Sequence, residues 1–264
     1  MSPDDALARD LAIAAGQRLL SLRARSGTAA GSGADPARLR SEGDRLSHEF
    51  LVAELARFRP RDAILSEEGV DGAARLSAGR VWIVDPLDGT REFGEPGRTD
   101  WAVHVALWEQ GELTAGAVAL PAQARVLSTA EPPPAPSGRR PGEDAPLRLL
   151  VSRSRPPEFV QRLAELVGAE LVPLGSAGAK AAAVITGEAD AYVHSGGQFE
   201  WDSAAPVAVA LAVGMHASRI DGSKLVYNQA VPSLPDILVS PAGLAPLLLQ
   251  AIRTVLSAEA PGPR

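Results

Sequence analysis

Residues Val81-Trp82-Ile83-Val84 form an unbroken apolar run of strand-forming side chains that ends directly in Asp85-Pro86-Leu87-Asp88-Gly89-Thr90. Such a run suits a strand buried on both faces, inside a sheet that helices cover. A chain that drives a buried strand into two carboxylates must neutralise them, because desolvating an unpaired charge is costly. Pro86 fixes its own φ at about −65° and holds the turn, so Asp85 and Asp88 can converge on one point. Asp-Pro-x-Asp-Gly is also a common turn composition, and on this segment alone both readings stand.

Two further acidic segments sit at the ends of expected elements, Leu65-Ser66-Glu67-Glu68-Gly69 and Trp201-Asp202-Ser203. Read singly, Glu67-Glu68 is a solvated pair, and Asp202 and Asp44 are each suited to cap a helix. Read together, they supply the carboxylate oxygens that magnesium prefers, and two such ions about 4 Å apart can clamp both sides of a phosphoryl displacement. The chain has no cysteine, which removes thiolate metal sites and thiol nucleophiles. His48, His104, His194 and His216 share no metal-binding spacing and read as structural. Gly89-Thr90 after the second aspartate would bring backbone N–H groups at a helix start close to a phosphate.

The surrounding chain alternates. Ser2, Pro3 and Asp5 mark a helix start, with Leu7, Leu11, Ala15, Leu19 and Leu22 in its stripe. The Gly/Ala/Ser stretch 26–36 reads as a mobile loop, and a second helix is expected from about Asp44 to Phe58. Strands at about 101–108, 114–120 and 124–129 form a meander joined by Glu109-Gln110-Gly111-Glu112. The Pro-, Arg- and Gly-rich segment 131–146, with Arg139-Arg140 as solvated loop residues, is the expected domain boundary. Beyond it, strands near 147–151, 170–173, 191–194 and 236–240 interleave with helices near 157–167, 177–187, 203–213 and 244–257, an α/β pattern.

A net charge of −6 is the wrong sign for sequence-independent phosphate-backbone binding, so a nucleic-acid polymer is not an expected partner. No apolar run reaches the roughly 18 residues that span a bilayer, and the acidic start Met1-Ser2-Pro3-Asp4-Asp5 lacks the basic opening of a secretory signal, so a cytoplasmic protein without membrane contact is expected.

In this order Leu-Ser-Glu-Glu, Trp-Ile-Val-Asp-Pro-Leu-Asp-Gly-Thr-Arg-Glu-Phe and Glu-Trp-Asp-Ser-Ala-Ala resemble the magnesium-dependent, lithium-sensitive phosphatases of the inositol monophosphatase superfamily. Arg91-Glu92-Phe93 after Gly-Thr looks like the 3′(2′),5′-bisphosphate nucleotidase branch of sulfate assimilation. The resemblance implies a layered αβαβα sugar-phosphatase-like fold. An N-terminal α+β half (1–135) and a C-terminal α/β half (146–264) would enclose the active site between them. It implies two or three Mg2+ ions on Glu67, Asp85, Asp88, Asp202 and the Leu87 carbonyl, with Asp44, Thr90 and Glu67 as catalytic groups. Asp44 and Thr90 would orient the attacking water, and Gly89 and Thr90 would hold the scissile phosphate. Ser152, Arg153 and Gly175-Ser176 fall where that branch holds its nucleotide. The implied reaction removes the 3′-phosphate of 3′-phosphoadenosine 5′-phosphate, with 3′-phosphoadenosine 5′-phosphosulfate as a second substrate left open. Inositol 1-phosphate or fructose 1,6-bisphosphate hydrolysis on the same scaffold is the alternative, and a non-catalytic phospholigand sensor a more distant one. The resemblance also admits a homodimer. Pro206, where relatives carry glycine, is expected within the first turn of its helix.

Overall fold

A computed structural model describes residues 2–26, 35–70, 72–136, 145–154 and 156–259 of the chain. The loop expected at 26–36 falls almost wholly outside the described residues, as do Arg139-Arg140 and the middle of the 131–146 boundary segment. Helix α1 (Pro3–Arg25) opens as its sequence dictates. The Ser2 hydroxyl accepts from Asp5 N, and the Asp5 carboxylate accepts from Ser2 N in return. Helix α2 (Pro36–Phe58) starts eight residues before the expected Asp44, because Asp35 caps it through Ala37 N and Pro36 takes its first position. Those first two turns bury only Leu39 and Gly43, so they carry little apolar periodicity for the sequence to show. Asp44 is therefore an interior helix residue and not a cap.

The first sheet joins β1 (Ala63–Ser66), β2 (Arg80–Asp88), β3 (Ala102–Glu109), β4 (Glu112–Leu120) and β5 (Arg125–Ser128) in sequence order. β1 runs parallel to β2, and the remaining pairs are antiparallel, as the meander requires. The second contains β6 (Leu147–Ser152), β7 (Ala169–Leu174), β8 (Ala191–Phe199), β9 (His216–Ser218) and β10 (Ser233–Ser240), ordered 7-6-8-10-9. β1 and β9, of four and three residues, are strands that the sequence reading does not anticipate.

Three apolar clusters set the layers. α1 and α2 cover one face of the first sheet through Leu11, Leu19, Leu51, Trp82 and Val84. The other face, through Val81, Ile83, Ala102 and Ala106, meets α5 (Ala177–Ile185) and α6 (Glu200–Ala212), which also pack on Leu150, Tyr192 and Val239 of the second sheet. α4 (Glu158–Val167) and α7 (Ala245–Glu259) close the far side. The order is αβαβα, and the middle helices are small-residue helices that let the sheets approach. A Cβ on Gly116 of β4 would stand 2.6 Å from the Ala208 Cβ of α6. Pro206 lies inside α6, which begins at Glu200, three residues earlier than expected, so the proline is not in the first turn.

Replacing Gly116 by alanine should therefore wedge β4 from α6 and lower stability by about 1–3 kcal/mol, since overpacking a tight core is costly. Urea unfolding measures this, and an unchanged midpoint would show that the middle layer has slack.

Candidate active site

β2 delivers the acids. Val81 and Ile83 face the middle layer, and strand alternation puts Asp85 on that same side. Three residues later, Asp88 would face away in a regular strand. The ladder with β3 slips between Asp85 and Asp88, and this irregularity brings both carboxylates to the middle layer. Asp85 Oδ1 accepts from Leu87 N at 3.0 Å, tightening the turn. Gly89 then takes φ +83°, where a Cβ would stand 3.0 Å from Ser176 Cβ and 3.1 Å from the Asp100 carbonyl. Thr90 opens the five-residue helix α3 (Thr90–Gly94).

Asp88 sits at the start of α5. Its Oδ1 accepts from Ala177 N at 3.1 Å, and its Oδ2 accepts from Gly178 N at 2.6 Å and from the Ser176 hydroxyl. His104 of β3, fully buried, places Nε2 3.3 Å from the same Oδ2, while its Nδ1 lies 3.0 Å from the Trp201 carbonyl. Ser176 holds a left-handed φ of +46°, unfavourable for a residue with a Cβ, and the contacts around it are dense. Gly175 N donates to Asp100, and the buried Lys180 ammonium donates to the Gly175 and Ser176 carbonyls.

Asp202, in the first turn of α6, caps the preceding Phe199 N at 2.7 Å. Asp85, Asp88 and Asp202 each offer an oxygen within 4.8 Å of the others. Glu67, just past β1, lies beside Asp85 but is not one of the three acids whose oxygens gather within that distance. Thr90 Oγ1 lies 3.0 Å from the Leu87 carbonyl and 3.3 Å from Asp44 Oδ1, so the expected Asp44–Thr90 pair is formed across α2 and α3.

The electrostatics are those of charge awaiting a counterion. Burial, with the charges of Asp202 and Asp88 nearby, pushes Glu67 up to about 7. Burial and the charges of Glu67, Asp88 and Asp202 drive Asp85 well above the usual carboxyl range. Burial raises Asp202 and Asp44 to about 6, with Asp88 repelling the first and Glu68 the second. Burial alone would raise Asp88 too, yet His104, Ser176 and the Gly178 N–H bring it down to about 2. Among the described residues nothing hydrogen-bonds to the buried Asp85 Oδ2, and such an oxygen suits a hard cation with oxygen ligands.

The remaining expected residues converge on the same end of the molecule with different partners. Ser152 closes β6. Arg153 follows it, and its guanidinium binds Glu92 at 2.7 Å and Glu95 at 2.8 Å. Glu92 is thus buried and paired, and Phe93 is core, packed edge-on against Trp101 at 5.0 Å. The sequence reads His104 as structural and does not single out Lys180, and the structure places both beside the acids, His104 against Asp88 and Lys180 against the Gly175 and Ser176 carbonyls. The one available signal for His104 was its even-numbered place between Ala102 and Ala106, on the face β3 turns to the acids.

A sequence model of the inositol monophosphatase family matches residues 1–257, and the chain belongs to that family. A 3′-phosphoadenosine 5′-phosphate phosphatase of Mycobacterium leprae is 50% identical over 261 residues, covering 96% of this chain and 94% of that protein. Among solved structures, CysQ from Bacteroides thetaiotaomicron superposes with a TM-score of 0.72 at 27% identity, covering 90% of this chain and 97% of its own. Inositol monophosphatase II from Staphylococcus aureus superposes with a TM-score of 0.74 at 21% identity, covering 96% and 97%, and shares the fold.

The raised and lowered acids act on stability in opposite pH windows. Asp44, Glu67 and Asp202, raised on folding, contribute stability that is fully present below the ordinary carboxyl range and lost as pH climbs through about 6 to 7, and Asp85, raised well above that range, acts in the same direction. Asp88, lowered to about 2, contributes stability that is present above the ordinary carboxyl range and lost only as pH falls toward that value. In chelator, the melting temperature should fall between about pH 4 and pH 7, the interval from the ordinary carboxyl range to the raised values of Asp44, Asp202 and Glu67, and magnesium should remove the fall by binding the ionised acids. Scanning calorimetry checks this; a chelated protein that melts no lower at the alkaline end contradicts it.

Proposed function

We propose that the chain is a magnesium-dependent phosphatase that removes the 3′-phosphate of 3′-phosphoadenosine 5′-phosphate, giving adenosine monophosphate and phosphate. The observation that carries the reading is the convergence of Asp85, Asp88 and Asp202 beside the Asp44–Thr90 pair. The name of the 50%-identical M. leprae relative supports the choice of substrate.

Glu67, Asp85, Asp88, Asp202 and the Leu87 carbonyl would hold two or three magnesium ions. Bound there, magnesium supplies the positive charge that offsets charge developing on the phosphoryl group. The protein's own part is positioning. Asp44 and Thr90 orient the attacking water, with the Thr90 hydroxyl polarised by the Leu87 carbonyl and the Asp44 carboxylate placed to take a proton. Asp44, raised to about 6, is tuned toward the range in which a general base works best. Glu67 serves the same step as a base or as an ion ligand. The Gly89 and Thr90 N–H groups would hold the scissile phosphate, at the start of α3, where Gly89 takes a left-handed conformation. Ser152 and the Gly175-Ser176 loop line the nucleotide side. Arg153 acts there by fixing Glu92 and Glu95.

Asp85→Asn removes one charge at nearly constant volume. It should abolish most turnover and raise the melting temperature in chelator, because it relieves repulsion within the cluster. Thr90→Ala should lower kcat by about 10²–10⁴ while the magnesium requirement shifts little. Weakened magnesium binding at native kcat would reverse that assignment. Substrate choice is read by comparing kcat/KM for 3′-phosphoadenosine 5′-phosphate, inositol 1-phosphate and fructose 1,6-bisphosphate. Two charge-assisted bonds to the second phosphate would give the nucleotide an advantage of roughly a hundredfold or more. A preference for either sugar phosphate would replace this reading with the other.

A further inference from the structure

His104 has no part in the chemistry above, yet its ring reaches both sides of the acid cluster. It lies directly opposite Asp85 in the β2–β3 ladder and is completely buried. The Trp201 carbonyl, 3.0 Å from Nδ1, can only accept, so Nδ1 carries a proton and the ring orientation is set. Trp201 directly precedes Asp202. The opposite corner of the ring, Nε2, stands 3.3 Å from Asp88 Oδ2. A Cβ on Gly178 would come 2.0 Å from Nε2, so glycine at that position lets α5 close onto the ring. One side chain of the first sheet therefore touches a carboxylate on β2 and the backbone that carries the carboxylate on α6.

We propose that His104 is a positioning residue, whose two ring nitrogens set the gap between Asp88 and Asp202 and thereby the affinity of the acid cluster for its divalent cation. The inference rests on the cluster being the cation site. Coordination rewards ligand atoms held at fixed separations, and groups that hydrogen-bond to ligands commonly change metal affinity tenfold to a hundredfold when removed. Asp88 is already fixed by the start of α5. Asp202 rides on α6, and the His104–Trp201 bond ties the beginning of that helix to the first sheet.

Three replacements separate the contacts. Asn places an amide nitrogen near Nδ1 and retains the Trp201 bond; Gln places one near Nε2 and retains the Asp88 contact; Leu keeps the volume and removes both. Titration calorimetry with magnesium alone, on protein stripped by chelator, reads the dissociation constant without turnover. His104→Leu should weaken magnesium by about tenfold to a hundredfold, with His104→Asn and His104→Gln between it and the wild type. Asp85→Asn, run in parallel, tests the underlying reading and should abolish binding. If Asp85→Asn fails to bind while His104→Leu binds as the wild type does, the positioning role is wrong and the cation site stands. If Asp85→Asn binds normally, the cation reading falls and takes this inference with it. Should His104→Leu not fold, wild-type affinity in both the Asn and Gln variants overturns the proposal. A lowered melting temperature in chelator with unchanged affinity also overturns it, since that is what a merely structural histidine would give.

Discussion

The structure turns on one ionised carboxylate. Asp88 leaves a buried strand of the first sheet and takes backbone N–H bonds from Ala177 and Gly178 at the start of a helix packed between the sheets. Helix starts offer unsatisfied donors and a favourable field for negative charge, so the cost of burying Asp88 is offset by groups that also need a partner. Its other neighbours, Ser176 and His104, come from either side of the same gap. The start of α5 cannot shift against the end of β2 without breaking these bonds, so Asp88 fixes the first sheet to the middle layer.

Around that anchor, unfavourable features compensate one another. Ser176 adopts a backbone conformation that costs on the order of 1–3 kcal/mol for a residue with a side chain, and Asp88 and the Lys180 ammonium both hold it there. Lys180 is buried, and its ammonium is eased toward neutrality by desolvation while Asp88, Glu92 and Asp202 oppose that change. The positive end is thus supported by the acids that would otherwise repel one another. Asp85, Glu67 and Asp202 are left without equivalent donors, which is why they titrate high and Asp88 titrates low.

Much of this was legible in the sequence because a buried strand writes itself as a continuous apolar run, and the acids at its end stand out against it. Val81–Val84 gave the position of β2, and Ser2-Pro3 gave the start of α1 to the residue. Leu-Ser-Glu-Glu and Trp-Asp-Ser marked the other acids through family resemblance, since neither has a pattern of its own. Helix α2 was read eight residues short because its first turns lie at the edge of the core, where apolar periodicity fades before the helix does. Arg153 shows a different limit. The resemblance places Arg153 on the nucleotide side, and only three-dimensional proximity reveals that it pairs with Glu92 and Glu95. His104 was invisible for a related reason: its partners lie 16 residues before it and 97 after it, beyond any local pattern.

The dependence of Asp88 on α5 has a consequence for vectorial synthesis. A ribosome delivers β2 and β3 well before residues 176–178 emerge, so the growing chain holds Asp88 with His104 as its near neighbour and none of the helix-start donors. Burial of the β2 carboxyl end at that stage would strand a charge in an apolar layer, and the segment is better left in water. Asp202 arrives later still. The three-carboxylate cluster is therefore complete only once α6 has been synthesised. A polypeptide truncated between β5 and α5 would carry most of the acids of the site without the framework that makes their closeness tolerable.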